Sequence, residues 1–180
     1  GNVGDQAFAD VSFGESWSRN FGDEKVWARY YGPGHTSGDA VIHFEKANVV
    51  HMGDLLFNRA HPNIDRPAGA SVANWITLLD KVARAHGNDT IFIAGHGKDN
   101  AVQCAKADVT HFRGYLSLCM DTAKKAIAAG QAKEDLLKTP TLPGFDDGDL
   151  SVQDLSAQRA APLLLGAGLR PGARVLDACA

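Results

Sequence analysis

Three residues stand out as groups that could do chemistry together: His35, Asp54 and His96. Imidazole nitrogen and carboxylate oxygen are the ordinary non-thiolate ligands of zinc. Each of the three falls at the end of an expected strand or in a glycine-flanked loop just after one, where connecting segments are free to converge. The glycines around His35 (Gly34, Gly38) and His96 (Gly95, Gly97) are expected to permit unusual backbone angles and close approach of a bulky ligand. Asp39, four residues after His35, is placed to orient the loop or a ligand through a supporting hydrogen bond. The intervals of 19 and 42 residues match no compact zinc motif. On spacing alone, metal ligands and ordinary surface or hydrogen-bonded histidines therefore both remain open. His43, His51, His61, His86 and His111 are read as structural, with the charge of His86 expected to suit a helix C-terminus.

Several elements must position these groups. Residues 10 to 31 alternate in short apolar and polar bursts around a turn at Phe21-Gly22-Asp23. Strands are expected at Lys25 to Tyr30, at Ala40 to Glu45, and from Asn48 to an end at Gly53-Asp54, joined as hairpins. A long loop from Phe57 to Gly69 precedes a helix capped by Ser71 and stopped at Gly87-Asn88. Val72, Trp75, Ile76, Leu79 and Val82 form the helix's apolar stripe. A short buried strand, Thr90 to Ala94, runs into Gly95-His96-Gly97. Helices near 107–129 and 133–137 follow.

The 180 residues suffice for one domain with a real core, and 44% hydrophobic with 22% charged residues is ordinary for a globular protein. A net charge of -3 offers no field for nucleic acid or anionic lipid, and no stretch is long and apolar enough to cross a bilayer. Cys104, Cys119 and Cys179 contain no CxxC pair, and an odd count argues against a disulfide framework. The chain begins with Gly and shows no export signal, so the compartment is left open and any targeting peptide would lie outside it.

The run GPGHTSGDAVIHFEKANVVHMGDLLFNRAHPNID, followed by IFIAGHG, resembles the metallo-β-lactamase superfamily over roughly residues 10 to 146. The resemblance implies an α+β fold, an αβ/βα sandwich with one or two zinc ions at the edge of its sheets. It implies that His35 is a ligand of the first metal, Asp54 the bridge between two, and His96 a ligand of the second. A metal-bound hydroxide would then attack a small ester, thioester or lactam-like substrate. The family's HxHxDH motif is absent, since no HxH occurs in the chain. The chain is therefore expected to hold the C-terminal half of the sandwich. Its apolar sheet face would be covered by an oligomeric partner or an N-terminal segment outside the chain.

Residues 151–158 and 172–180 resemble the approach to the first strand of the S-adenosylmethionine-binding domain in the ribosomal-RNA cytosine methyltransferases. No cofactor binding is expected there, because the Gly-rich loop of that site does not follow. The expected organisation is a partial sandwich over 1–138, a Pro/Gly/Asp linker over 139–149, and a helix-strand tail over 150–180 that reads as a fusion. The expected function is that of a zinc-dependent hydrolase, inactive as this chain alone. The rivals are a non-catalytic remnant or interaction module, and a fragment of an RNA methyltransferase.

Overall fold

The computed structural model describes residues 11–136 together with Leu142 and Phe145. The linker and the methyltransferase-like tail expected at 139–180 otherwise lie outside the described residues. The strands are β1 (Ser16–Phe21), β2 (Glu24–Tyr30), β3 (Ala40–Phe44), β4 (Val49–Asn58), β5 (Ile91–Gly97) and β6 (Gln103–Cys104). The helices are α1 (Val72–Ala85), α2 (Lys106–Ala128) and α3 (Lys133–Leu136). The strands make one sheet in chain order, antiparallel throughout except for the parallel β4–β5 pair. A parallel pair needs a crossover, and α1 provides it.

Alternation along the strands divides the sheet into two faces. On one, Val41, Val50, Met52, Phe92 and Ala94 are buried in one core with Trp75, Leu78, Leu79 and Val82 of α1 and Val109, Phe112 and Leu116 of α2. Asp80 and Arg113 tie the two helices together at 3.1 Å. On the other face the register lays down two rows. One is Trp17, Ala28, Ile42, His51 and Ile93; the other is Val26, Phe44, Val49 and Ile91. Phe21 and Ile91 on this face are 55% and 38% exposed.

Helix α1 begins where its sequence says it should. The Ser71 hydroxyl accepts the Asn74 N–H at 3.3 Å, satisfying one of the orphan donors of the first turn. At the head of α2, the Asp108 carboxylate reaches back to the Ala105 N–H at 2.7 Å.

Two expectations are corrected. β4 does not end at Gly53-Asp54 but runs on to Asn58, so Asp54 lies within the strand. Leu55, Leu56 and Phe57 are all buried, which breaks strict alternation and hides the strand in the sequence. Gly53, at φ 52°, sits at an irregularity where the β4–β5 register shifts, and the pairing resumes at Phe57 opposite His96. His86 does not lend a charge to the end of α1. It is buried, and burial pushes its pKa down to about 4, with His43 and Lys106 adding to the effect. The cations at that helix end are Arg84 in its last turn and Lys106, whose ammonium donates to the His86 carbonyl at 2.9 Å.

Trp75 is fully buried, and its indole N–H donates to the Leu55 carbonyl of β4 at 3.0 Å. Trp75→Phe leaves that carbonyl unpartnered and a void beside it, so we expect a loss of about 1–3 kcal/mol in stability. Urea denaturation checks this, with a lower midpoint at unchanged slope as the expected result.

Candidate metal centre

His35 stands on the loop between β2 and β3, and that loop is fastened to the start of α1. The Asn74 side-chain amide donates to the Pro33 carbonyl at 2.7 Å and the Tyr31 carbonyl at 3.3 Å. The Ser71 N–H donates to Gly34 O at 2.9 Å, and the Ser37 N–H to Ala68 O at 2.9 Å. Asp39 accepts the Thr36 N–H at 2.5 Å, so its carboxylate braces the loop through the backbone next to His35. The His35 ring meets the edge of Trp75 at 5.7 Å and Phe57 at 5.9 Å between centroids.

His96 comes from β5 directly across from Phe57, and the two rings stack at 4.9 Å with 22° between planes. Phe57 therefore touches both imidazoles, and with Trp75 it floors the site. The sequence pattern marks neither aromatic as a site residue: it sets Trp75 on a helix stripe and Phe57 at the start of a loop.

Asp54 stands between the histidines. His35 Nδ1 lies 3.8 Å from Asp54 Oδ2, and His96 Nε2 lies 3.3 Å from Asp54 Oδ1. The three sequence-selected residues are thus brought together, each imidazole facing a different oxygen of one carboxylate. Two ligands held at 2.0–2.1 Å by a tetrahedral zinc stand about 3.3 Å apart. Both pairs fit a metal in donor type; the His96–Asp54 pair, at 3.3 Å, also fits in spacing, the His35–Asp54 pair, at 3.8 Å, is wider, and neither fits in number. Among the described residues, no group of three or more His, Cys, Asp or Glu side chains is gathered to hold an ion. In the long loop after β4, His61 Nδ1 is 2.6 Å from the Tyr115 hydroxyl, and Asp65 accepts the Ala68 N–H at 3.1 Å. The thiols of Cys104 and Cys119 are pushed up to about 11 by burial, which keeps them from acting as thiolates.

Gly34, Gly95 and Gly97, next to His35 and His96, leave space for their neighbours rather than supply unusual backbone angles, and Gly38 has open space around it. Gly34, Gly38, Gly95 and Gly97 all lie outside the positive-φ region. A Cβ on Gly34 would meet the side chain of Leu55, and that of Leu78 at 3.0 Å. A Cβ on Gly95 would meet the Asp54 carboxylate, and the Gly53 backbone at 2.6 Å.

Comparison with known proteins bears on the family and the fold. A curated metallo-beta-lactamase type 2 from Bacillus cereus is 30% identical over 78 residues, covering 43% of this chain and 30% of that protein. Metallo-beta-lactamase IND-1 from Chryseobacterium indologenes is 28% identical over 75 residues, 42% of this chain and 31% of that one. The matches thus span about a third of the length of these relatives. Among solved structures, a metallo-beta-lactamase from Pontibacter korlensis aligns with a TM-score of 0.53 at 17% identity, over 62% of this chain and 50% of that one. A stereoselective inverting sec-alkylsulfatase from Pseudomonas sp. aligns with a TM-score of 0.60 at 14% identity, over 74% of this chain and 22% of that one. These two likenesses show the fold. A separate stretch of 39 residues is 67% identical to ribosomal RNA small subunit methyltransferase B of Xylella fastidiosa, covering 22% of this chain and 9% of that protein. The sequence profile of the metallo-beta-lactamase superfamily matches residues 4–96, more than half of the chain, and the chain belongs to that superfamily.

Proposed function

We propose that this chain carries one wall of the zinc centre of a metal-dependent hydrolase that acts on a small ester, thioester or lactam-like substrate. The observation that supports the reading is the shared carboxylate of Asp54, with one imidazole at each oxygen. His35 and Asp54 would hold one metal position, and Asp54 and His96 a second. Zinc bound there supplies a water whose pKa is brought near 7, so hydroxide is available at neutral pH. Phe57 and Trp75 keep the inner side of the histidines dry, while Asn74 and Asp39 fix the loop that carries His35. The names of the Bacillus and Chryseobacterium relatives favour a lactam among the candidate substrates.

A catalytic zinc normally has three protein ligands and one open position. Each position here has two. On its own residues the chain would hold zinc loosely and turn over nothing at an enzyme-like rate. That shortfall also gives the rival reading, a non-catalytic module of the same fold, its support.

Zinc titration of the purified chain by calorimetry, with assays on a chromogenic lactam and a thioester, tests the proposal. We expect micromolar or weaker affinity, loss of the binding heat in Asp54→Asn, and no metal-dependent hydrolysis. Nanomolar affinity with turnover would contradict the half-site, and binding heat unchanged in Asp54→Asn would remove Asp54 from it. Gly95→Ala is a second probe, because its methyl group must displace Asp54 or the Gly53 backbone. It should cost about 1–3 kcal/mol in stability by overpacking and weaken zinc binding at least about tenfold, the equivalent of 1.4 kcal/mol. Thermal denaturation and the same titration read the two effects.

A further inference from the structure

We propose that His43 and His86, packed with Trp27, form a proton-operated latch that fastens the C-terminal end of α1 to the β2–β3 part of the sheet and opens on mild acidification. Trp27 and His43 are cross-strand partners in β2 and β3. His86 follows the last turn of α1 and drops between them. The two imidazoles meet edge to face at 4.7 Å between centroids, and Trp27 lies edge-on to His43 at 4.8 Å. Trp27 also stacks over His86 at 6.1 Å, with Phe92 of β5 edge-on from the other side at 5.9 Å. One aromatic cluster thus joins three strands to one helix end.

Three imidazole nitrogens of this cluster have no company. Both ring nitrogens of His43 and Nε2 of His86 are buried without a hydrogen-bond partner. A neutral imidazole tolerates that at modest cost, but an imidazolium in the same place would be a desolvated ion, a cost that Glu45 and Glu24 offset only in part at His43. The charged groups around it do not change this. From α2, the Lys106 ammonium sits at the His86 carbonyl, and from β2, the Arg29 guanidinium lies 5.4 Å over Trp27. Both are cations. The acids on the His43 side are Glu24 at the head of β2 and Glu45 just after β3. Glu24 accepts the backbone N–H groups of Lys46 and Ala47 at 2.8 and 3.0 Å, and Glu45 pairs with Lys25 at 3.2 Å. From β6, Cys104 lies opposite Phe92, with its thiol pushed up to about 11 and therefore uncharged.

Burial lowers the pKa of His43, against the pull of Glu45 and Glu24, and takes His86 down to about 4. A histidine in the unfolded chain takes its proton near pH 6.5. Between pH 6.5 and about 4 the proton therefore binds the open chain in preference to the closed latch. The latch contributes fully above pH 6.5, and its contribution is lost progressively as the pH falls through that window. The helix it releases is the one whose opposite end clamps the His35 loop through Asn74.

The test compares thermal melts of the full chain between pH 7.5 and pH 5 with those of His86→Phe, which keeps a ring in place and cannot titrate. The wild-type melting temperature should fall by about 5 °C or more over that range, a few kcal/mol at most for a domain of this size. The fall in His86→Phe should be less than half as large. Trp27 emission should be quenched over the same range as the latch opens and the indole meets water, and the acid quench should vanish in Trp27→Phe. Should His86→Phe fail to fold, amide exchange in the wild type decides. Exchange in the last turn of α1 and in β3 should accelerate at pH 5.5 relative to the rest of the sheet, after correction for intrinsic rates. A fall in melting temperature as large in His86→Phe as in the wild type, an acid quench surviving in Trp27→Phe, or evenly distributed exchange would each overturn the latch.

Discussion

The seating of Trp75 on β4 is the contact on which the rest of the arrangement depends. One indole N–H, given to the carbonyl of Leu55, fixes the start of α1 over the strand at the residue that follows Asp54. The edge of the same ring bears on His35, and the preceding residue, Asn74, grips the loop that carries His35. A single helical turn therefore sets the distance between a loop and a strand far apart in sequence. The pair His35–Asp54 is a consequence of that turn. The pair Asp54–His96 is a consequence of the parallel β4–β5 register, which places His96 across from Phe57.

The elements with simple periodicity were legible in the sequence. The hairpins of β2 and β3 showed through their alternation, and α1 through the Val72, Trp75, Leu79 and Val82 stripe with Ser71 in front of it. What did not show was the continuation of β4. Three buried residues in a row carry no period-2 signal, and the irregularity at Gly53 is defined by pairing with β5 rather than by its neighbours in the chain. β6, at two residues, is too short to leave a pattern. His35, Asp54 and His96 were legible because residue types and glycine spacing coincided with a family pattern. Phe57, Trp75 and Asn74 were not, because their roles come from which side chains the fold brings together. At Gly34 and Gly95 the backbone angles are ordinary, and a neighbouring side chain or backbone occupies the space a Cβ would need.

The histidines also divide by environment in a way their spacing concealed. His96 is mostly open to solvent and His35 largely covered, and both point a nitrogen at the Asp54 carboxylate. His43 and His86 face aromatic rings and each other, with buried nitrogens that have nothing to bind. The first pair is arranged to accept positive charge and the second to refuse it. The His35 loop is tied to the start of α1 and His86 caps its other end, while His96 is held by β5.

The central claim is that Asp54 is the shared ligand of an incomplete metal centre. The most direct measurement is an anomalous-scattering map at the zinc edge from crystals of this chain soaked in zinc. The account predicts density within about 2.0–2.2 Å of an Asp54 oxygen and of His35 Nδ1, His96 Nε2, or both, with the remaining positions filled by water. Zinc bound elsewhere on the surface, with the Asp54 carboxylate left unliganded, would contradict it.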